Sequence, residues 1–341
     1  MKLCNLYYHS IYIFNEKCNF VEKIEIVMKR RYFVIILFIA FALAACSGGK
    51  NDKTDKNPNT PTVNNNLESG KISIGATEES YDLAQRLASN YVAQNTNIII
   101  DVISCKAEDV NQMLTSGQVQ LIVSGGNKNP LPNFKSTIIA TDLLVLTVNY
   151  NNPILQYLVI YGLSLKDING IFATGQINNW NQIDKKAESV PLKPLAGADN
   201  SSLNLIIKDF IKSGFASTTT SVISEYDLIS SISINPGAIA FMSHRNAYNY
   251  NSGSKTNGLY IIPIDINNNG VADDSELIYD NLNTLKKAYK NGSFPKNLVR
   301  YHFFITNEKG ERADIVSHFT NFALNNASNI ISGAGYLEPK K

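Results

Sequence analysis

From residue 71 onward the chain alternates short β-rich runs with amphipathic helical stretches, and that alternation limits its fold more than any other feature. Residues 71–75, 97–103, 119–123, 238–242, 260–264 and 301–305 read as strands. Residues 82–92, 109–116, 165–172, 203–212, 283–290 and 313–324 read as helices. In the first helix Leu83, Leu87 and Tyr91 recur four apart, with Ala84, Ala88 and Val92 beside them. Ser164 stands where an N-cap belongs, one residue before 165–172. The apolar run 138–148 holds one charge, Asp142, and is long enough to cross between two lobes. Such alternation predicts an α/β fold with mostly parallel sheets, whose ligands bind at strand carboxyl ends and helix N-termini.

The segment ahead of this region is of another kind. Met28, Lys29, Arg30 and Arg31 form a compact basic cluster, and the fourteen residues from Tyr32 to Ala45 are all apolar. That is the pattern of a signal peptide. The run is short for a spanning helix, which needs ~20 apolar residues. It ends in Leu43-Ala44-Ala45-Cys46, which resembles a bacterial lipobox; a lipid on Cys46 is expected, with the chain held to a membrane outside the cytoplasm. Residues 1–27 carry Glu16, Glu22 and Glu25, which do not suit the start of a signal peptide, so Met28 is the expected start. The polar stretch 46–70 reads as a lipidated flexible tether. With Cys46 lipidated and Cys4 and Cys18 upstream of the start, Cys105 is the one remaining thiol and no internal disulfide is expected.

Charge excludes one class of partner. Of 31 basic and 29 acidic residues, six and three lie in 1–45, which leaves 25 and 26, a net charge of −1. Nucleic acid calls for a basic stripe, so it is not an expected partner. Enzyme motifs are absent too. The histidines (His9, His244, His302, His318) show no metal spacing and read as packing or surface residues; there is no nucleophile elbow and no P-loop lysine.

Several segments, in this order, resemble the PstS-like substrate-binding proteins of phosphate ABC transporters. They are Ile72-Ser73-Ile74-Gly75-Ala76-Thr77, the run from Ile138 to Asn149, and Leu165 to Phe172 followed by Gly175-Gln176-Ile177-Asn178-Asn179-Trp180. Asn235-Pro236-Gly237-Ala238-Ile239-Ala240-Phe241 and Gly333-Ala334-Gly335-Tyr336 complete the match. The resemblance implies a two-lobed type II periplasmic-binding-protein fold, with residues 71–145 and 259–339 in one lobe and 146–258 in the other. It also implies an anion held in the cleft, phosphate or a related oxyanion, delivered by a monomer to an ABC permease. On this reading the donors are Ala76 and Thr77, Ser104 and Lys106, and Asn200, Ser201 and Ser202. Thr77 and the 200–202 cluster also suit plain helix caps, and Lys106 a solvated strand end. The family's arginine falls at Ala196 and its acidic residue at Gln120, so a different solute, or a surface-interaction or sensory lipoprotein on the same fold, stays open.

A second pattern is independent of the cleft. Asp265, Asn267, Asn269, Val271, Asp273 and Glu276 stand at positions 1, 3, 5, 7, 9 and 12 of a loop with Gly270 at position 6. That spacing suits a hard cation, and a structural Ca²⁺ site is expected. An Asn-rich surface turn is the alternative.

Overall fold

The computed structural model describes residues 69–126 and 132–340. The basic cluster, the apolar run, Cys46 and most of the tether lie outside the described residues. Among the described residues no helix is long and apolar enough to cross a membrane.

The first half of the alternation is β1 (Gly70–Thr77), α1 (Glu78–Gln94), β2 (Ile98–Cys105), α2 (Val110–Thr115), β3 (Leu121–Gly125) and the fifteen-residue β4 (Lys135–Asn149). Then come α3 (Leu155–Tyr161), β5 (Leu163–Ser164), α4 (Leu165–Phe172), β6 (Lys193–Ala196), α5 (Ser202–Ile211), β7 (Thr220–Ser221), α6 (Glu225–Ser233), β8 (Ala238–Ser243) and α7 (His244–Ala247). The chain closes with β9 (Leu259–Ile261), β10 (Ile264–Asp265), α8 (Leu282–Asn291), β11 (Val299–Thr306), α9 (Ala313–Asn325) and α10 (Ala327–Gly333). The expected strand 260–264 is two pieces, parted at Ile262 and Pro263, because proline has no N–H to give a ladder.

The main sheet has the order β2-β1-β3-β11-β4-β8-β6-β7, with β9 also on β4. β1 pairs in parallel with β2 and β3, and β6 in parallel with β7 and β8. β4 does the crossing. Its first half, to Leu143, lies antiparallel to β11; from Leu144 it lies antiparallel to β8 and β9. Ile139 to Asn149 are all buried, so the strand is a shared spine, and its apolar run is what allows that.

Two main cores flank this spine. Ile72, Ile74, Leu83, Leu87, Tyr91, Phe304 and Phe319 pack in the first lobe, which brings the stripe of α1 onto β1. Trp180, Phe172, Leu203, Leu228 and Phe241 pack in the second. Trp180 is fully buried and donates its indole N–H to the Gly237 carbonyl, which ties the Trp segment to the Asn-Pro-Gly turn. One boundary is corrected. The return to the first lobe, expected near 258, comes near Val299. Leu259, Ile261, Ile264, Leu282, Leu285, Tyr289 and Leu298 all join the second core, and β9 adds to the second half of β4.

Candidate functional site

The loops at the carboxyl ends of β1, β2 and β6 meet around one cavity of about 720 Å³. Thr77, Ser104 and Lys106 line it from the first lobe, Asn200, Ser201 and Ser202 from the second. Six of the seven residues expected in the site are therefore together. Ala76 is not in the wall: its side chain is buried in β1. The lobes also approach closely at Gly126, which has φ +80° and where a Cβ would lie 2.7 Å from that of Ser202.

Each rim residue has a local job as well. Thr77 precedes α1, yet its hydroxyl makes no cap; it donates to the Glu79 carboxylate at 2.9 Å. Ser201 is a true N-cap and accepts from the Asn204 amide at 3.3 Å. Asn200 is left-handed, φ +62°, a conformation asparagine tolerates, and its amide reaches Glu108 of the opposite lobe at 3.4 Å. Lys106 stands 3.8 Å from Glu108. The cavity is acidic: Glu78, Glu79, Glu108, Asp109 and Asp199 line it against one lysine. Burial and the carboxylates of Glu225, Glu79 and Asp227 push the Glu78 carboxyl up. Burial, Glu79 and Asp109 likewise raise the Cys105 thiol to about 11, which favours its protonated form.

Behind the rim is a buried ionic cluster that local sequence patterns did not reveal. Arg300 on β11 is 1% exposed. Its guanidinium donates to Asp142 of β4 at 2.5 and 3.2 Å, to both oxygens of Glu225 at the start of α6, and to the Ser202 hydroxyl at 3.3 Å. Asp142 also accepts from the Ser243 hydroxyl at 2.8 Å and contacts His244 Nδ1 at 2.7 Å. Burial alone would raise the Asp142 carboxyl, but Arg300 and His244 hold it well below the usual range. For Glu225 burial outweighs Arg300, and its carboxyl is raised. For Arg300 the two carboxylates outweigh burial, and its charge is fixed. His302 is buried beside this cluster; burial and Arg300 hold its pKa well below the ordinary value, so it is neutral, with Nδ1 2.8 Å from the Ser80 hydroxyl. These histidines are neither surface residues nor plain packing. The signal that could have found the cluster is a charge inside an apolar run: Asp142 in 138–148, and Arg300 and His302 in β11.

The two positions that depart from the resembled family also have places. Ala196 ends β6 and is buried. Gln120 stands at the N-terminal side of β3, where its side-chain oxygen accepts from the Ser73 amide at 2.8 Å; it does not line the cavity.

A family model for the PBP superfamily domain matches residues 59–327. The chain belongs to that family. Among solved structures, this PBP-family chain is similar to an ABC-type phosphate transport receptor from Vibrio cholerae (17% identity, TM-score 0.60), over 79% of this chain and 100% of that one. It is similar to a putative phosphate ABC transporter substrate-binding protein with bound phosphate from Clostridium perfringens (16% identity, TM-score 0.62), over 80% of this chain and 100% of that one. A possible phosphate binding protein from Planctomyces limnophilus matches at 14% identity and TM-score 0.54, over 80% and 94%. No curated protein matches. At these identities the likeness is one of fold: a two-lobed PBP architecture with a cleft at the strand ends.

In the calcium-like loop, the buried Asp265 carboxylate accepts from the Asn269 and Gly270 amides at 3.1 and 2.9 Å. Asn268 and Gly270 are left-handed. Glu276 folds back on the loop and accepts from Ile266, Asn267 and Asp273 amides at 2.7, 3.2 and 3.3 Å. Asn267 donates to Asp273 at 2.8 Å. Among the described residues no three His, Cys, Asp or Glu side chains are set as metal ligands.

Proposed function

We propose that this PBP-family chain is an extracytoplasmic solute-binding protein, held to a membrane by a lipid on Cys46, that captures a small solute in the cleft and delivers it to an ABC permease. The observation that carries the reading is the convergence of polar loops from both lobes on one cavity. A solute between two lobes can hold them together, and that is how such a fold reports occupancy. The lipid has a separate test: a Cys46→Ser chain should lose palmitate labelling and leave the membrane fraction, and retention with labelling would end the anchor reading.

A small oxyanion such as phosphate is the solute that the likeness to phosphate receptors favours. Ser104, Ser201 and Ser202 hydroxyls support it as neutral donors. A ligand that binds only the folded state raises the melting temperature. On the oxyanion reading millimolar phosphate, sulfate, molybdate or arsenate raises it, and a flat response to all four would remove that reading.

The oxygen-rich loop from Asp265 to Glu276 supports a second proposal, a structural Ca²⁺ site, because its donors suit a hard cation once Glu276 turns from the backbone amides. Its check is melting in Ca²⁺ against EDTA. Equal melting temperatures would leave the loop as an Asn-rich turn.

A further inference from the structure

We infer that Glu79 sets the specificity of the cleft: its carboxylate takes the hydroxyl and amide donors that a small oxyanion would need, so the cleft favours a solute bringing its own cationic or hydrogen-bond-donating group. This rests on the reading that the cleft holds a solute.

The geometry is specific. One oxygen of Glu79 accepts from the Thr77 hydroxyl at 2.9 Å and from the Gly125 amide at 3.1 Å. Both donors stand at strand carboxyl ends, of β1 and β3; Thr77 lines the cavity, and the Gly125 amide behind it also reaches the Thr77 hydroxyl at 3.3 Å. A Cβ at residue 125 would lie 2.6 Å from that same oxygen, so the carboxylate fills the space that a side chain at 125 would take, and a larger residue there would displace it. The turn that carries Glu79 is fixed as well. The Tyr336 phenol donates to the Glu79 carbonyl at 2.5 Å, and the Arg245 guanidinium lies over the Tyr336 ring at 3.7 Å.

Among the described residues, no unpaired cation in the cavity wall offsets this charge. Arg300 reaches the wall only through Ser202, and Asp142 and Glu225 already neutralise it. Lys106 is beside Glu108. A carboxylate in such a wall repels an anion and accepts from an ammonium or hydroxyl, and charge-assisted hydrogen bonds are the strong ones.

The test is calorimetric titration of the wild-type protein, Glu79→Gln and Glu79→Ala with phosphate, sulfate, putrescine, arginine and glucose. Phosphate or sulfate affinity should rise about tenfold or more in Glu79→Ala, which removes a like charge and frees the Thr77 hydroxyl. Glu79→Gln keeps the shape and should gain less; it also carries the test if the alanine variant does not fold. Amine binding, where seen in wild type, should weaken in both. An oxyanion that binds wild type as tightly as the variants, or more tightly, overturns the inference. If amines or glucose bind all three forms equally and no oxyanion binds any form, the inference also falls while solute capture stands. If no probe of any class binds any form, both fall.

Discussion

The cleft rim and the cluster behind it are built from the same kinds of polar residue, yet they obey opposite rules. On the rim Ser104, Lys106 and Asn200 are exposed, each polar group has water as an alternative partner, and a substitution costs little. A few ångströms behind, Asp142, Glu225 and Arg300 are buried and have only one another, with Ser202, Ser243 and His244. The difference teaches where this molecule can change its ligand and where it cannot. The rim can be rewritten residue by residue. The cluster stands or falls as a unit, because a buried charge that loses its partner keeps its desolvation cost.

The largest effect should follow from breaking the cluster. Arg300→Met removes the cation shared by Asp142 and Glu225 and leaves two carboxylates unpaired in the interior. Loss of about 3–5 kcal/mol is expected in urea unfolding. The matching triple change, Arg300→Met with Asp142→Asn and Glu225→Gln, should recover much of it, since no buried charge then remains. A single variant as stable as wild type would show that the cluster is not the closed ionic unit described.

This contrast also decides how much was legible in the sequence. Six of the seven residues expected in the site line the cavity, because strand and helix periodicity is local and the loops follow once the elements are placed. The helix 165–172 and its cap at Ser164 match α4 in full. The cluster joins residues 75 and 158 positions apart, and no local pattern records such a pair. The second lobe's boundary was misplaced for the same reason. Residues 259–298 alternate strand and helix like their neighbours, and only the pairing of β9 with the far half of β4 shows which core they join. Glu79 is an intermediate case. Its place in a first helical turn was readable, but its hold on Gly125, 46 residues away, was not.

A middle-sized effect tests whether the interior stays sealed. His302 has its folded pKa well below the ordinary value of about 6.5, because burial and Arg300 disfavour a proton. Below about pH 6.5 the unfolded chain therefore binds a proton that the folded chain refuses. Stability should fall as pH drops through this window, by at most about 1.4 kcal/mol per unit from this group, and be flat in this respect above it. Glu225, with its carboxyl raised, works in the opposite direction at lower pH, so the difference between wild type and His302→Gln is the quantity to follow. That difference should shrink steadily from pH 7 to pH 5. A constant offset would mean that His302 takes a proton in the folded protein as readily as in the unfolded one.

The smallest effect calibrates the exposed end of the comparison at a site remote from both regions. Ser164 caps α4 by accepting from the Asp167 amide at 3.1 Å, while Asp167 accepts from the Ser164 amide and hydroxyl at 3.3 and 2.7 Å. The box is half-buried, and water can replace part of each bond. Ser164→Ala should cost about 1 kcal/mol, the ordinary worth of a cap. The same substitution at Ser201 should cost a similar amount, since its hydroxyl also accepts a single helix amide. If Ser201→Ala costs several times more than Ser164→Ala, the Ser201 hydroxyl is coupled to the cluster through its neighbour Ser202 and Arg300, and the line between rim and interior has to be drawn one residue further out.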